Sequence, residues 1–293
     1  MRPAKLKVGL VQQAVADNDK ATNWNKSAEQ IAKLAAEGCE CILLQELHST
    51  LYFCQQEDTD AFDLAEPIPG PATEFFGELA EKHNIVLVTS LFEKRGSGLY
   101  HNTAVVFDRS KEIAGKYRKM HIPDDPHFYE KFYFTPGDLG FKSNTTKKGN
   151  VGVLICWDQW FPEAARLTAL KGADVLFYPT AIGWHHKENA EYGVNQYGAW
   201  MNVMKGHAVA NGVYVAAANR IGLEKYLPNT DGLEFWGASF IAGPQGEILA
   251  QASHDKEEIL IAEVDLDLQE NVRQNWPFFR DRRIDSFGDI TKR

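Results

Sequence analysis

The chain has 293 residues, of which 44% are hydrophobic and 24% are charged, as in an ordinary globular protein with a large core. Its formal net charge of −9 argues against nucleic acids and anionic membranes as partners, and it weakly favours a cationic small molecule. The apolar runs are all shorter than the roughly 18 residues that a membrane-spanning helix needs.

The first half of the chain alternates short apolar runs with amphipathic stretches. Gly38 is placed to end one helix, and the sequence Pro69-Gly70-Pro71 predicts a break in regular structure before the next helix. The predicted elements are, in order, a strand over 5–12, a helix over 23–37, a strand over 41–46, a helix near 73–83, a strand over 85–91 and a hairpin from 102 to 117.

In the second half, residues 119–150 show no periodicity, and ordered loops of this length are usually functional. The predicted elements that follow are a strand over 151–155, a helix from Pro162, a strand over 174–179, a helix over 192–211, a strand over 213–218 and three strands between 236 and 265 with a turn at 243–246. This order indicates a layered α/β fold and leaves open whether it has one sheet or two. No linker or repeat divides the chain, so we expect a single domain over 1–293 with a C-terminal extension from about 266.

Three residues follow strand-like segments and could carry chemistry. Cys156, in ICWDQWFPE, lies where a buried strand meets a helix, and backbone N–H groups there can bind an oxyanion. Glu46 ends CILLQE, where burial would raise its pKa and suit it to act as a base. Lys119, in KYRKMHIP, would favour a thiolate, as would the helix start near Cys156. Taken singly, each residue is equally or better explained as an inert cysteine, a solvated carboxylate or a surface lysine.

Taken together, LLQEL, YRKMHIP and ICWDQWFPE resemble the three motifs of the nitrilase, or carbon–nitrogen hydrolase, superfamily. The resemblance extends from residue 5 to about residue 265, and Ile122 departs from it where leucine is expected. It implies a four-layer αββα sandwich, no metal and no organic cofactor. It also implies that Cys156 is the nucleophile, Glu46 the general base and Lys119 the third member of the triad.

The same resemblance assigns further roles around this triad. Glu130, in the loop sequence HFYEKFYFTPGD, would orient Lys119 and help to move protons. Lys119 and the backbone N–H of Trp157 would stabilise the oxyanion.

The loop MHIPDDPHFYEKFYFTPGD, together with IGWHHKE and the helix after it, resembles the branch of the superfamily that hydrolyses N-carbamoylputrescine. A substrate with a distal ammonium needs a counter-charge, for which Asp125 and Glu188 are the candidates. Tyr129, Trp157 and Trp184 could add cation–π attraction. Ordinary loop packing is the competing explanation for each of these residues.

Two alternatives stay open at this point. The first is the same chemistry on another N-carbamoyl compound or linear amide, and the second is a catalytically silent interaction protein on the same fold. His121, His127, His185 and His186 lack the spacing of a zinc site, so no metal is expected. Four cysteines without C-x-x-C pairing and a start without a long apolar stretch favour a reducing cytoplasm. The family resemblance implies a homo-oligomer built from dimers.

Overall fold

The computed structural model describes residues 3–292, with the backbone alone at 186 and 187. The described residues form two six-stranded sheets and one three-stranded sheet. The strands are β1 (Lys5–Gln12), β2 (Cys41–Leu43), β3 (Val86–Gly96), β4 (Leu99–Asp108), β5 (Ile113–Arg118), β6 (Ser143–Thr146), β7 (Gly149–Val153), β8 (Val175–Pro179), β9 (Gly183–Trp184), β10 (Tyr214–Ala218), β11 (Ile221–Glu224), β12 (Leu233–Trp236), β13 (Phe240–Ala242), β14 (Ile248–Gln251) and β15 (Glu258–Asp265).

Helices cover the outer faces of the two large sheets. In chain order they are α1 (Lys20–Ala36), α2 (Pro71–His83), α3 (Glu130–Tyr133), α4 (Pro162–Leu170), α5 (His186–Asn211) and α6 (Leu266–Asn275). No helix in the described part of the chain is long and apolar enough to cross a membrane.

The strand order is β15-β1-β2-β3-β4-β5 in the first sheet and β14-β13-β10-β8-β7-β6 in the second. Strands β1, β2 and β3 are parallel, as are β7, β8 and β10. The carboxyl ends of parallel strands meet at one edge of a sheet, which is where binding sites of α/β proteins commonly lie. Glu46 follows β2 and Cys156 follows β7 at such edges.

Strand β1 shows why the two sheets stack face to face. Successive side chains of a strand point to opposite faces. Leu6, Val8 and Leu10 therefore enter the same buried cluster as Val153 and Phe177 of the second sheet.

The opposite face of each sheet packs against helices. Ile31 of α1 and Phe76 of α2 share a cluster with Val11 of β1, and the Trp200 ring of α5 packs against the Phe240 ring of β13 with centroids 5.2 Å apart. The layers therefore run helices, sheet, sheet, helices, which confirms the αββα expectation.

Several predicted elements differ from the structure at their ends. α1 begins at Lys20 rather than 23, because the Asp19 side chain accepts a hydrogen bond from the Ala21 N–H and caps it earlier. α5 begins six residues before the predicted start, in a polar stretch without apolar periodicity. β2 ends at Leu43, so Glu46 lies in the turn beyond the strand.

The segment 119–150 was predicted to lack regular elements, and this prediction is wrong in part. It contains α3, β6 and the start of β7. α3 is a single turn, too short to show a period, and β6 is the polar run SNTT paired to β7. The small sheet β11-β12-β9 was also not predicted, because its strands have only two to four residues.

Other predictions are confirmed. β4 and β5 form the predicted antiparallel pair, α4 begins at Pro162, and β13, β14 and β15 are the three C-terminal strands. The predicted turn at 243–246 is closed by a hydrogen bond from the Gly246 N–H to the Gly243 carbonyl.

Candidate active site

Cys156 lies in a tight turn after β7, with a backbone φ of 41°. This left-handed conformation costs a non-glycine residue about 1–3 kcal/mol unless its surroundings enforce it. Asp158 supplies such a restraint: its buried carboxylate accepts hydrogen bonds from the Ile155 N–H at 2.9 Å and the Tyr117 hydroxyl at 2.8 Å. The Cys156 thiol donates to the Ala181 carbonyl with an Sγ–O distance of 3.7 Å. The sulfur is thus held at a fixed place beyond the strand.

Glu46 is fully buried in the turn after β2. Its Oε1 accepts hydrogen bonds from Asn102 Nδ2 at 2.7 Å and from Lys119 Nζ at 2.8 Å. Its Oε2 has no hydrogen-bond partner among the described residues. A carboxylate with one oxygen fixed and the other open is well arranged to accept a proton.

Lys119 follows β5 and is also fully buried. Its ammonium donates to Glu130 Oε2 at 2.6 Å as well as to Glu46, so one cation bridges two carboxylates. Glu130 opens α3, and its other oxygen accepts a hydrogen bond from the Tyr52 hydroxyl at 2.7 Å. The structure therefore brings Glu46, Lys119 and Glu130 into one connected group.

Each charged residue of this group shifts the pKa values of the others. Burial disfavours the Lys119 ammonium, but the carboxylates of Glu130 and Glu46 outweigh that effect and raise its pKa. Burial raises the pKa of Glu130 to about 7, although Lys119 lowers it in part. Two carboxylates share one ammonium away from water, which leaves one excess negative charge that a proton can neutralise near neutral pH.

Cys156 rests as a thiol rather than as a thiolate. Burial and the negative charge of Glu46 raise its pKa well above the ordinary value, and Lys119 opposes them only in part. Lys119 does lower this pKa, as predicted, but burial and Glu46 outweigh it in the resting site. A thiol in this state can act as a nucleophile only if its proton leaves as the sulfur attacks, and a nearby carboxylate can take that proton.

A cavity of about 380 Å³ opens onto Cys156 and Glu130. Its walls include the aromatic rings of Trp157, Trp160 and Trp236. This volume suits a small linear molecule, and the aromatic walls exclude water from the reacting end. Trp157 directly follows the cysteine, in the first turn of a short helix where backbone N–H groups are left without helical acceptors.

Of the five residues predicted to contact the substrate, Trp157 lines the cavity as described above, and the other four fall into two pairs. Asp125 and Glu188 line the cavity. Tyr129 and Trp184 lie outside the lining: the Tyr129 N–H donates to the Cys54 carbonyl, and the Trp184 ring packs against Trp236 at a centroid distance of 4.9 Å. Within the part of the chain that the structure describes, the lining contains no arginine and no lysine.

The sequence analysis did not identify Asn102, Tyr52 and Asp158, which hold Glu46, Glu130 and the cysteine turn. Asp158 stands inside the cysteine motif and could have been found there. Asn102 and Tyr52 reach the site from a hairpin strand and an irregular loop, and only the folded chain brings them to it.

The histidines make other contacts. His121 Nδ1 lies 2.7 Å from Asp158 Oδ1, and the rings of His127 and His185 stack at 4.4 Å. Among the side chains that the structure describes, no group of three or more His, Cys, Asp or Glu residues is arranged to hold a metal ion. The side chain of His186 lies outside the described residues.

Known proteins are similar to this chain over nearly its whole length. The carbon-nitrogen hydrolase family model matches residues 7–274. N-carbamoylputrescine amidase from Arabidopsis thaliana is 43% identical over 291 residues, covering 98% of this chain and 95% of the relative. Citrullinase from Francisella tularensis is 42% identical over 291 residues, covering 99% of both proteins. The crystal structure of a carbon-nitrogen hydrolase from Helicobacter pylori G27 matches with a TM-score of 0.94 and 48% identity, covering 99% of both chains. The chain belongs to the carbon–nitrogen hydrolase family.

Proposed function

We propose that this protein hydrolyses N-carbamoylputrescine to putrescine, carbon dioxide and ammonia, as a step of polyamine biosynthesis. The observation that carries the proposal is the charge of the cavity. Cys156 lies on it, Asp125 and Glu188 line it, and no described residue of the lining is cationic. Such a cavity suits a chain with a ureido group at one end and an ammonium at the other. Relatives named for this activity, at 42–44% identity, support the same substrate.

In the first half of the proposed reaction, the Cys156 sulfur attacks the ureido carbon while Glu46 takes the thiol proton on its open oxygen. The carbonyl oxygen becomes an oxyanion, which Lys119 and the Trp157 N–H stabilise. The tetrahedral intermediate then collapses. Glu46 returns the proton to the leaving nitrogen, so putrescine departs and a carbamoyl thioester remains on Cys156.

The second half repeats the chemistry with water. Glu46 removes a proton from the water that attacks the carbamoyl carbon, and Cys156 leaves and recovers its proton. The product is carbamic acid, which decomposes to carbon dioxide and ammonia. Glu130 holds Lys119 in place throughout, through its contact of 2.6 Å.

The distal ammonium should be recognised by Asp125, by Glu188 or by both. A cavity carboxylate that loses its cationic partner remains partly desolvated and unpaired, which costs binding energy. The aromatic walls of the cavity, to which Trp157, Trp160 and Trp236 contribute, add cation–π attraction along the chain of the substrate.

Acetylation of the distal amine tests this recognition. The acetylated compound carries no positive charge, so its kcat/KM should fall on the order of tenfold to a hundredfold below that of N-carbamoylputrescine. Asp125→Asn or Glu188→Gln should shrink this ratio, because each removes a charge that only the free amine can use. The measurement is ammonia release for both compounds with each variant.

Glu191→Gln is the matched control, since this carboxylate is on α5 but is not part of the cavity lining. It should leave the ratio unchanged. Equal rates for the acetylated and free amines would rule out the recognition of an amine.

Citrulline is a second candidate substrate, because it is N-carbamoylputrescine with a carboxylate on the carbon that bears the distal amine. The indole Nε1 groups of Trp160 and Trp236 favour it: both are buried, and neither has a hydrogen-bond partner among the described residues. Both residues line the cavity, and such a carboxylate could bind these N–H groups if the rings turn towards it. In the same assay, a higher kcat/KM for citrulline than for N-carbamoylputrescine would replace the first candidate with the second.

We also propose that the protein forms a homo-oligomer built from dimers, and that residues from about 266 extend its single domain. Large apolar side chains are exposed on α5 and after α6, and soluble monomers rarely expose contiguous apolar patches of such side chains. These residues are Tyr192, Val194, Trp276, Phe278, Ile284, Phe287 and Ile290. The four free thiols support a reducing, cytoplasmic location.

Val194→Asp should shift the protein towards a smaller species, because Val194 is 86% exposed and a charge there opposes burial in an interface. The mass is measured by light scattering after size exclusion. Leu223→Asp is the control, since Leu223 is 58% exposed on β11 rather than on α5 or the C-terminal segment. An unchanged mass in Val194→Asp would remove α5 from the proposed interface.

A further inference from the structure

Tyr52 is fully buried and contacts the proposed catalytic group from the side opposite Lys119. Its hydroxyl donates to Glu130 Oε1 at 2.7 Å, while Lys119 donates to Glu130 Oε2 at 2.6 Å. Tyr52 is not among the residues that line the cavity. Its hydroxyl proton is donated to Glu130, so Tyr52 is arranged to act on the reaction through Glu130.

A buried ion pair fixes the backbone of Tyr52. The Tyr52 N–H donates to Glu224 Oε2 at 2.8 Å, and Arg220 binds both oxygens of Glu224 at 2.8 and 2.7 Å. The same guanidinium donates to the carbonyls of Leu47 at 3.0 Å and Thr50 at 2.7 Å, within the turn that follows Glu46. One rigid unit thus sets the positions of both carboxylates that Lys119 bridges.

The Tyr52 ring is also held on its sides. Phe128 and Phe235 pack against it with centroid distances of 5.6 Å each. With the ring and the backbone both fixed, the hydroxyl has little freedom to leave Glu130.

We propose that Tyr52 is a positioning residue for the hydrolysis, which holds Glu130 against Lys119 and keeps Glu130 ionised under the conditions of the reaction. The proposal rests on the role of Glu130 in the proposed function. The charged and titratable groups that act on Glu130 are Lys119, Glu46, Tyr52, Cys54 and Cys156.

The direction of the effect follows from which form the hydroxyl stabilises. A hydrogen bond donated to a carboxylate favours the ionised form, so the Tyr52 hydroxyl lowers the pKa of Glu130 against the effect of burial. Removing the hydroxyl raises that pKa above its value of about 7. A larger fraction of Glu130 is then protonated at neutral pH and cannot pair with Lys119.

The test is Tyr52→Phe, which removes one oxygen and keeps the ring. Two quantities are measured: the titration of the Glu130 carboxyl by isotope-edited infrared spectroscopy, assigned by its loss in Glu130→Gln, and the pH dependence of kcat. Both the titration and the acid limb of kcat should move up by about one pH unit. The value of kcat near neutral pH should fall about fivefold and recover at higher pH.

Two further variants separate positioning from folding. Tyr133→Phe removes a hydroxyl of the same buried aromatic cluster, which contacts the Asp58 N–H and the Gln56 carbonyl instead of Glu130. It should leave both the Glu130 titration and the acid limb of kcat unchanged. The analogue 3,5-difluorotyrosine at position 52 keeps the shape of the tyrosine ring, and its more acidic hydroxyl donates a stronger hydrogen bond to Glu130. It should therefore move both the Glu130 titration and the acid limb of kcat to lower pH.

Opposite shifts in the phenylalanine and fluorotyrosine variants support the proposal, and an unchanged titration in both overturns it. Equal losses of kcat in Tyr52→Phe and Tyr133→Phe, with an unchanged pH profile, also overturn it by assigning the hydroxyl a structural role. A shifted titration with an unmoved acid limb contradicts the role of Glu130 in the proposed function, and leaves the contact between Tyr52 and Glu130 established.

Discussion

Cys156→Ala should abolish the hydrolysis of every carbamoylated substrate and leave the protein folded. The sulfur is the proposed point of covalent attachment, so the rate should fall at least about 10⁴-fold. The fold should survive because Asp158 and Tyr117, rather than the thiol, hold the turn. Ammonia release gives the rate, and thermal unfolding reports on the fold.

The other three cysteines provide the matched controls. Cys39→Ala, Cys41→Ala and Cys54→Ala also shorten buried thiols, and each should keep much of the activity. Mass spectrometry of the wild-type protein with substrate should place the carbamoyl group on Cys156. Substantial turnover by Cys156→Ala, free of contaminating enzyme, would remove Cys156 as the nucleophile.

Glu46→Gln and Lys119→Ala should each lower kcat by about 10³-fold or more, because the members of a catalytic unit are not independent. Glutamine keeps the size of Glu46 but cannot accept the thiol proton. Alanine at 119 leaves two buried carboxylates without their cation, so this variant should also lose about 3–5 kcal/mol of stability. Rates are compared with free energies of unfolding from denaturant titrations.

Glu130→Gln completes the series and should lose more in rate than in stability, since an amide still accepts a hydrogen bond from Lys119. The control is Glu66→Gln, which weakens a partly buried ion pair with Lys20 away from the site. It should leave kcat unchanged. Near-normal turnover by Lys119→Ala would contradict the assignment of cysteine, lysine and glutamate as a triad.

The sequence was sufficient where the local pattern and the tertiary environment agree. β1 and β10 lie at or within a residue of their predicted bounds and α4 begins at its predicted residue, because a buried strand or a proline-started helix leaves a local signal. α5 starts earlier than predicted because its first turns carry polar residues such as Glu188 that line the cavity. The stacking of two sheets is set by contacts distant in sequence, and only the family resemblance predicted it.

In the candidate site, too, local sequence patterns predicted some features, and others depend on contacts that only the folded chain makes. Motifs pointed to Cys156, Glu46 and Lys119 because each lies just after a strand. Tyr129 and Trp184 were predicted to contact the substrate because they are aromatic and lie in segments that do form part of the cavity. A sequence pattern does not determine which side chains of such a segment point into the cavity. The sequence predicted the effect of Lys119 on the Cys156 pKa but not the resting state of the thiol, because burial, which the sequence does not reveal, outweighs the nearby lysine.

The protonated, buried state of Cys156 also has a consequence for damage by oxidants. Hydrogen peroxide and disulfides react with exposed thiolates, and a thiol inside a protein reacts far more slowly. The free enzyme therefore keeps its proposed nucleophile in the form that resists conversion to sulfenic acid. Sulfur becomes reactive only as it attacks a bound substrate, so the enzyme is expected to outlast, under oxidative stress, enzymes that rest with a thiolate.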